Sequence, residues 1–119
     1  MIKKIAFLAL SVQLLLSCNS SKSFRAPAGI VQPDSMVEVL TDVHIFQATL
    51  QLGYFKNDTA GASNKAFESI LKKHHLSDEE YNKSLKFYSY NPEIFDDIYE
   101  KVLSNLSQQK AELMGKKHS

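Results

Sequence analysis

Apolar residues in this chain recur at helical spacing from Pro33 onward, and no alternating segment is long enough to make a useful strand. The first block opens with Pro33-Asp34-Ser35 as cap chemistry and continues from Met36 to Tyr54. At about 100° per residue, Met36, Val39, Leu40, Val43, Phe46 and Leu50 fall in a stripe about 120° wide, which predicts a core-facing side. Gly53 and the run Asn57-Asp58-Thr59-Ala60-Gly61 close that helix in a loop. A second helix is predicted from Asn64 to His75, with Phe67, Ile70, Leu71 and His74 on one side.

Ser77-Asp78-Glu79-Glu80 fits a capping box, in which the Ser77 hydroxyl accepts from the Glu80 N–H and the Glu80 carboxylate reaches back. The third helix that starts there carries Tyr81, Leu85 and Tyr88 on one face. It ends near Tyr90, because proline disfavours helix at the residue before it and Asn91-Pro92 follows. Asn91 then caps a fourth helix, with Pro92 in its first position and Glu93 favourable to the helix dipole. This helix, from Pro92 to about Met114, is the strongest amphipathic pattern in the chain. Ile94, Phe95, Ile98, Tyr99, Val102, Leu103, Leu106 and Leu113 occupy one half, and Asp96, Asp97, Glu100, Lys101 and Ser104 the other. The predicted architecture is all-α, a small bundle of about four helices with short connections.

The chain before Pro33 has a different character. Lys3 and Lys4 precede an apolar run from Ile5 to Leu16, which is too short to span a bilayer but has the layout of a secretory signal. It ends in Leu15-Leu16-Ser17-Cys18, which resembles the lipobox of bacterial lipoproteins. That resemblance implies lipid transfer to the Cys18 sulfur and cleavage after Ser17. Cys18 is the one cysteine present, so no disulfide forms within a molecule, and lipidation removes a thiol that would be a liability in an oxidising envelope. Two or three acyl chains make such anchoring stable.

Cleavage leaves about 100 residues, enough for one small domain. The signal holds two of the 14 basic residues and none of the 13 acidic ones, so the mature net charge is −1. This balance argues against a nucleic-acid surface and against a polybasic membrane contact. Cys18 to Gln32 is polar, small-residue sequence that reads as a lipidated flexible tether, with a reach on the order of 40 Å for its first eleven or so residues. The organisation is therefore a signal peptide at 1–17, a tether at 18–32, a helical domain at 33–114 and a disordered tail at 115–119.

Three segments carry a family resemblance: Pro33-x-x-Met36-Val37-x-Val39-Leu40-x-Asp42-Val43-His44, Tyr81-x-x-Ser84-Leu85-x-x-Tyr88, and Asn91-Pro92-x-x-Phe95-x-x-Ile98-Tyr99-x-x-Val102. Their order and spacing resemble the family called domain of unknown function 4296. The resemblance implies a helical lipoprotein of Bacteroidetes-type bacteria, without an assigned activity. In that group surface export goes with acids just after the lipidated cysteine, and their absence here implies the periplasmic face of the outer membrane.

Candidate chemistry is sparse. Asp42 and His44 leave a helix roughly 160° apart and cannot share an ion. His44 sits at the flank of the apolar stripe, as a boundary histidine bonded to a neighbour. Gln47 falls near its centre, where a buried amide needs partners such as the hydroxyls of Tyr81, Tyr88 and Tyr99. His74 reads as a packed core residue. A metal would require His44, His74 and His75 to converge from two helices. Asp96-Asp97 and Asp78-Glu79-Glu80 lie on solvent faces or first turns, where carboxylates are ordinary. There is no nucleophile elbow, phosphate loop, zinc motif or dinucleotide fingerprint, and no catalytic residue or cofactor is expected. Phe87, Tyr88, Tyr90, Phe95 and Tyr99 gather near Asn91-Pro92. Most should fill the core, while Phe87 and Tyr90 fit it poorly and mark a contact patch if exposed.

The expected function is that of a non-enzymatic accessory lipoprotein, lipid-anchored through Cys18, whose helical domain binds another envelope protein. The competing reading is a small-ligand or metal carrier using His44, Gln47 and His74. A weaker one is a peptide binder using the surface from Phe87 to Phe95.

Overall fold

The computed structural model describes residues 24–58 and 61–117, so Ser17 and Cys18 lie outside the described residues. Four helices form within them: α1 (Pro33–Gln51), α2 (Ala62–Lys73), α3 (Asp78–Ser89) and α4 (Pro92–Lys117). No strand occurs among the described residues. The fold is the all-α bundle that the periodicity predicts. No described helix is long and apolar enough to cross a membrane.

Each helix packs on its neighbour in sequence, except that α1 closes the bundle by packing most extensively on α4. The core lies at that crossing. Met36, Val39 and Val102 are wholly buried, with Leu40, Val43 and Ile98 nearly so, and Tyr88 enters from α3. Among the described residues, no buried side-chain nitrogen or oxygen lacks a hydrogen-bond partner. The Thr41 hydroxyl, for example, donates back to the Val37 carbonyl at 2.7 Å.

The apolar stripe of α1 is buried only as far as Val43, and Leu50 is exposed. Beyond that point the cover is aromatic: Phe46 packs against Phe55 and Phe67 at 6.0 and 6.1 Å between ring centres, and Phe67 meets Tyr81 edge-on at 5.6 Å. Helix α4 behaves similarly at its far end. It continues through Lys117 instead of giving way to a tail at 115, and every residue from Ser107 to Lys117 is exposed. Leu113, assigned to the core half of α4 by periodicity, is exposed as well because α1 does not extend far enough to cover it, and Leu103, assigned there too, is exposed because, one residue on from the buried Val102, it turns away from α1.

Local chemistry sets most helix ends. The capping box at the start of α3 is present: the Glu80 N–H donates to Ser77 Oγ at 3.1 Å and the Ser77 N–H to Glu80 Oε2 at 2.9 Å. At the start of α1 the N-cap is Gln32, whose side chain makes no capping bond, with Pro33 following and Asp34 in the first turn. Asn91 also departs from expectation, since its amide donates backward to the Phe87 carbonyl at 2.8 Å. The start of α2 is held from a distance by Asp58, which accepts from the Ala62 and Ser63 N–H groups and from the Ser63 hydroxyl. The Ser63 hydroxyl is the leading reason, with the backbone donors adding to it, that the Asp58 carboxyl titrates below its ordinary value.

Helix α2 stops at Lys73, two residues short of the expected His75, and the reason is a Schellman turn. His74 is the C-cap, the Leu76 N–H reaches back to the Leu71 carbonyl at 2.9 Å, and the His75 N–H reaches Lys72 at 3.1 Å. His75 therefore takes the left-handed conformation, φ 56°, that this turn normally gives to glycine. Replacement of His75 by glycine should stabilise the domain by about 0.5–1 kcal/mol. Denaturant titration of His75→Gly beside the parent checks this, and a loss of stability would mean that the imidazole holds a contact of its own.

Candidate functional site

The part of the expected tether from Phe24 to Gln32 is docked on the bundle. Pro27 to Ile30 makes a tight turn closed by the Ile30 N–H to the Pro27 carbonyl at 3.2 Å, with Gly29 at φ 83° in the position that requires glycine. Gln32 ties the segment to itself, accepting from the Ala26 N–H at 2.9 Å and donating to the Ala26 carbonyl at 3.1 Å. Ala26 is buried. The main tie is to α3: the Val31 N–H donates to Ser84 Oγ at 2.9 Å and the Tyr88 hydroxyl donates to the Val31 carbonyl at 2.6 Å. Both groups of one peptide residue are thus met by side chains four positions apart on a single helix face.

This strap delivers Phe24 onto Phe87, with ring centres 6.3 Å apart and near-parallel planes. Phe87 is half-buried and also meets Tyr88 edge-on at 5.2 Å, so it belongs partly to the core, whereas Tyr90 is 75% exposed. Of the two residues proposed as a contact patch, only Tyr90 is fully presented to solvent.

The three residues of the carrier reading are not brought together. Gln47 is exposed, and the tyrosine hydroxyl that was its candidate partner in Tyr88 serves Val31 instead. His44 packs edge-on against Tyr99 at 5.7 Å. His74 lies on the other flank of α1, where its Nε2–H donates to Asp42 Oδ2 at 2.7 Å while Lys73 Nζ reaches the same oxygen at 2.9 Å. The His74 side chain is 13% exposed and that of Lys73 is 67%, so the imidazole contact is the better shielded from water and the ammonium contact the more screened. Partial burial pushes the Asp42 carboxyl up, but the hydrogen bonds and charges of Lys73 and His74 together outweigh it and hold the group below its ordinary value. Among the described residues, no set of three His, Cys, Asp or Glu stands close enough to hold a metal ion.

Two open grooves border the strap. One, of about 780 Å³, runs between Phe24, Val37, Ile94 and Ile98, with Asp34, Asp97 and Lys101 on its rim. Lys101 pairs with Asp34 there at 3.2 Å. The other, of about 480 Å³, lies between the strap, Glu38, His74, His75 and Glu80. Sequence reasoning missed the strap and the Asp42–His74 pair. Ser84 had surfaced only as a member of a family-like motif, and Asp42 only there and in the pair with His44 that helix geometry excludes.

A family model described as Domain of unknown function (DUF4296) matches residues 27–112. No curated protein and no solved structure matches the chain.

Two variants test the geometry. Tyr88→Phe leaves the Val31 carbonyl without its donor and should cost about 1–2 kcal/mol, with faster proteolysis after Arg25 than in the parent. Unchanged cleavage there would show that the strap is not held by this bond. Asp42→Asn should cost about 1 kcal/mol at neutral pH. Because the folded carboxyl titrates below its unfolded value, the Asp42 contribution is complete above the ordinary carboxylate range and is lost as pH falls through the folded value. The stability difference between parent and Asp42→Asn should therefore close in acid, and a difference that persists there would assign it to packing.

Proposed function

The chain belongs to the DUF4296 family, and from that premise we propose that it is an envelope lipoprotein, anchored by lipid on Cys18, whose helical domain binds another envelope protein without catalysing a reaction. The anchor reading rests on the sequence: two lysines, a short apolar run, and Leu15-Leu16-Ser17-Cys18 with no other cysteine in the chain. The periplasmic side of the outer membrane is its proposed address.

The observation that carries the interaction reading is the far end of α4. An isolated helical segment of about three turns is marginal in water, and no other described helix packs over the exposed run from Ser107 to Lys117. Yet it presents Leu113 and Met114, which are 68% and 54% exposed. Two adjacent large apolar side chains exposed on a projecting helix support a contact with a partner. The Phe87 to Phe95 surface, by comparison, presents Tyr90 with the rest of its rings half-buried or packed inward.

The test is in-cell photo-crosslinking from position 113 of the native lipoprotein, followed by mass spectrometry of the captured proteins and of the amino-terminal peptide. The expected result is an acylated Cys18 and one dominant partner, lost in Cys18→Ala and reduced at least about tenfold by Met114→Glu. An acylated Cys18 with no reproducible partner would overturn the interaction reading, and an unmodified thiol would overturn the anchor.

A further inference from the structure

The net charge of −1 conceals a local segregation. From Phe24 to Pro33 the chain carries Arg25 and no acid, and from Tyr81 to Asn91 it carries Lys83 and Lys86 and no acid. The fold puts these two stretches side by side, since the strap lies on α3 and Phe24 stacks on Phe87. Lys83 sits over the strap's turn, its Nζ 3.6 Å from where a Gly29 side chain would begin. On α3, Lys83, Lys86, Phe87 and Tyr90 fall within about 100° of one another, opposite the buried Tyr81 and Tyr88. None of Arg25, Lys83 and Lys86 forms an ion pair among the described residues. Glu79 and Glu80, one turn before Lys83 on the same side of α3, and Glu93, just beyond the Asn91-Pro92 turn, border the cluster, with the Glu80 carboxylate engaged by the Ser77 N–H.

Chain length then decides what this face meets. With the strap docked from Phe24, only Asn19 to Ser23 separate it from Cys18, a reach of at most about 20 Å. That is half the reach of the free tether expected from sequence, and the short stretch carries Lys22 and no acid. We propose that the face formed by Phe24, Arg25, Lys83, Lys86, Phe87 and Tyr90 lies on an anionic lipid surface, as a second membrane contact beside the acyl anchor. This rests on the reading that Cys18 is lipidated. An exposed tyrosine and a phenylalanine among lysines and arginine match the chemistry of a head-group layer, with rings at the acyl boundary and cations on phosphates. The acyl chains hold the position of the domain, and such a contact would also confine its orientation.

The chain contains no tryptophan, so one introduced residue is a clean reporter. The full lipoprotein carrying Tyr90→Trp is reconstituted into vesicles of phosphatidylcholine, alone or mixed with phosphatidylglycerol, with brominated lipid as quencher. Leu113→Trp on the α4 projection is the distant control, and Cys18 acylation is read by mass spectrometry on the same samples. The expected result is quenching of Trp at 90 but not at 113, strongest with phosphatidylglycerol and weakened by salt. Lys83→Glu with Lys86→Glu, both at exposed positions, should lower the docked fraction at least about tenfold while helix content is unchanged. With Cys18 acylated, an unquenched Trp at 90, or quenching indifferent to lipid charge and to the two reversals, overturns this proposal and leaves the anchor standing. A Trp at 90 shielded by envelope proteins and not by lipid overturns it in favour of a protein contact. An unmodified Cys18 overturns both.

Discussion

The peptide group of Val31 is the constraint on which the arrangement turns. Packed against α3, its N–H and carbonyl are partly shielded from water, and each would cost up to about 1–3 kcal/mol if left unpaired. Ser84 and Tyr88 supply an acceptor and a donor one helical turn apart, so the strap has a single register in which both are met. Ser84 satisfies itself as well, donating to the Glu80 carbonyl at 2.7 Å while accepting from Val31. Once this register is set, the Ala26–Gln32 bonds fold the preceding turn and Phe24 arrives on Phe87. The point where the chain leaves the domain is therefore specified by two hydroxyls.

Local signals were legible where both partners lie within one turn. The Ser77 and Glu80 box is written in four consecutive residues, and the apolar period of α1 through Val43 identifies the core side without knowledge of what fills it. Periodicity assigns a direction to each side chain, however, and burial also needs an opposing element. Gln47, Leu50 and Leu113 point toward the side of the stripe, yet α1 and α4 each outrun their neighbours there and the residues meet solvent. The end of α2 was illegible for a different reason. A Schellman turn is usually announced by glycine, and here a histidine occupies the left-handed position, so His74-His75 reads as continued helix.

The candidate site follows the same division. Asp42 was weighed against His44, its neighbour in sequence, and helical geometry rightly separates those two. Its actual partner, His74, is supplied by the α1–α2 hairpin, a relation that no spacing rule encodes. The strap escaped notice because small polar residues without periodicity describe a free linker and a docked one equally well. What distinguishes them is hydrogen-bonding capacity elsewhere: Ser84 lies on the buried side of α3, where its hydroxyl donates to its own helix and its oxygen can still accept from the strap.

Charge gives the last step. A balance near zero describes the whole molecule, but a membrane or a partner meets only one face of it. Here Arg25, Lys83 and Lys86, which form no ion pair among the described residues, gather where the chain emerges, and the acids of α4 lie beyond the Asn91-Pro92 turn. Helix α4 starts at that turn and runs for 26 residues, which places its tip about 40 Å away. On the proposed anchoring, a domain confined at one end by lipid, strap and cations can present Leu113 and Met114 up to that distance from the bilayer. The strap that shortens the tether and the helix that outruns the bundle then have complementary roles, one limiting how the domain sits and the other setting how far it reaches.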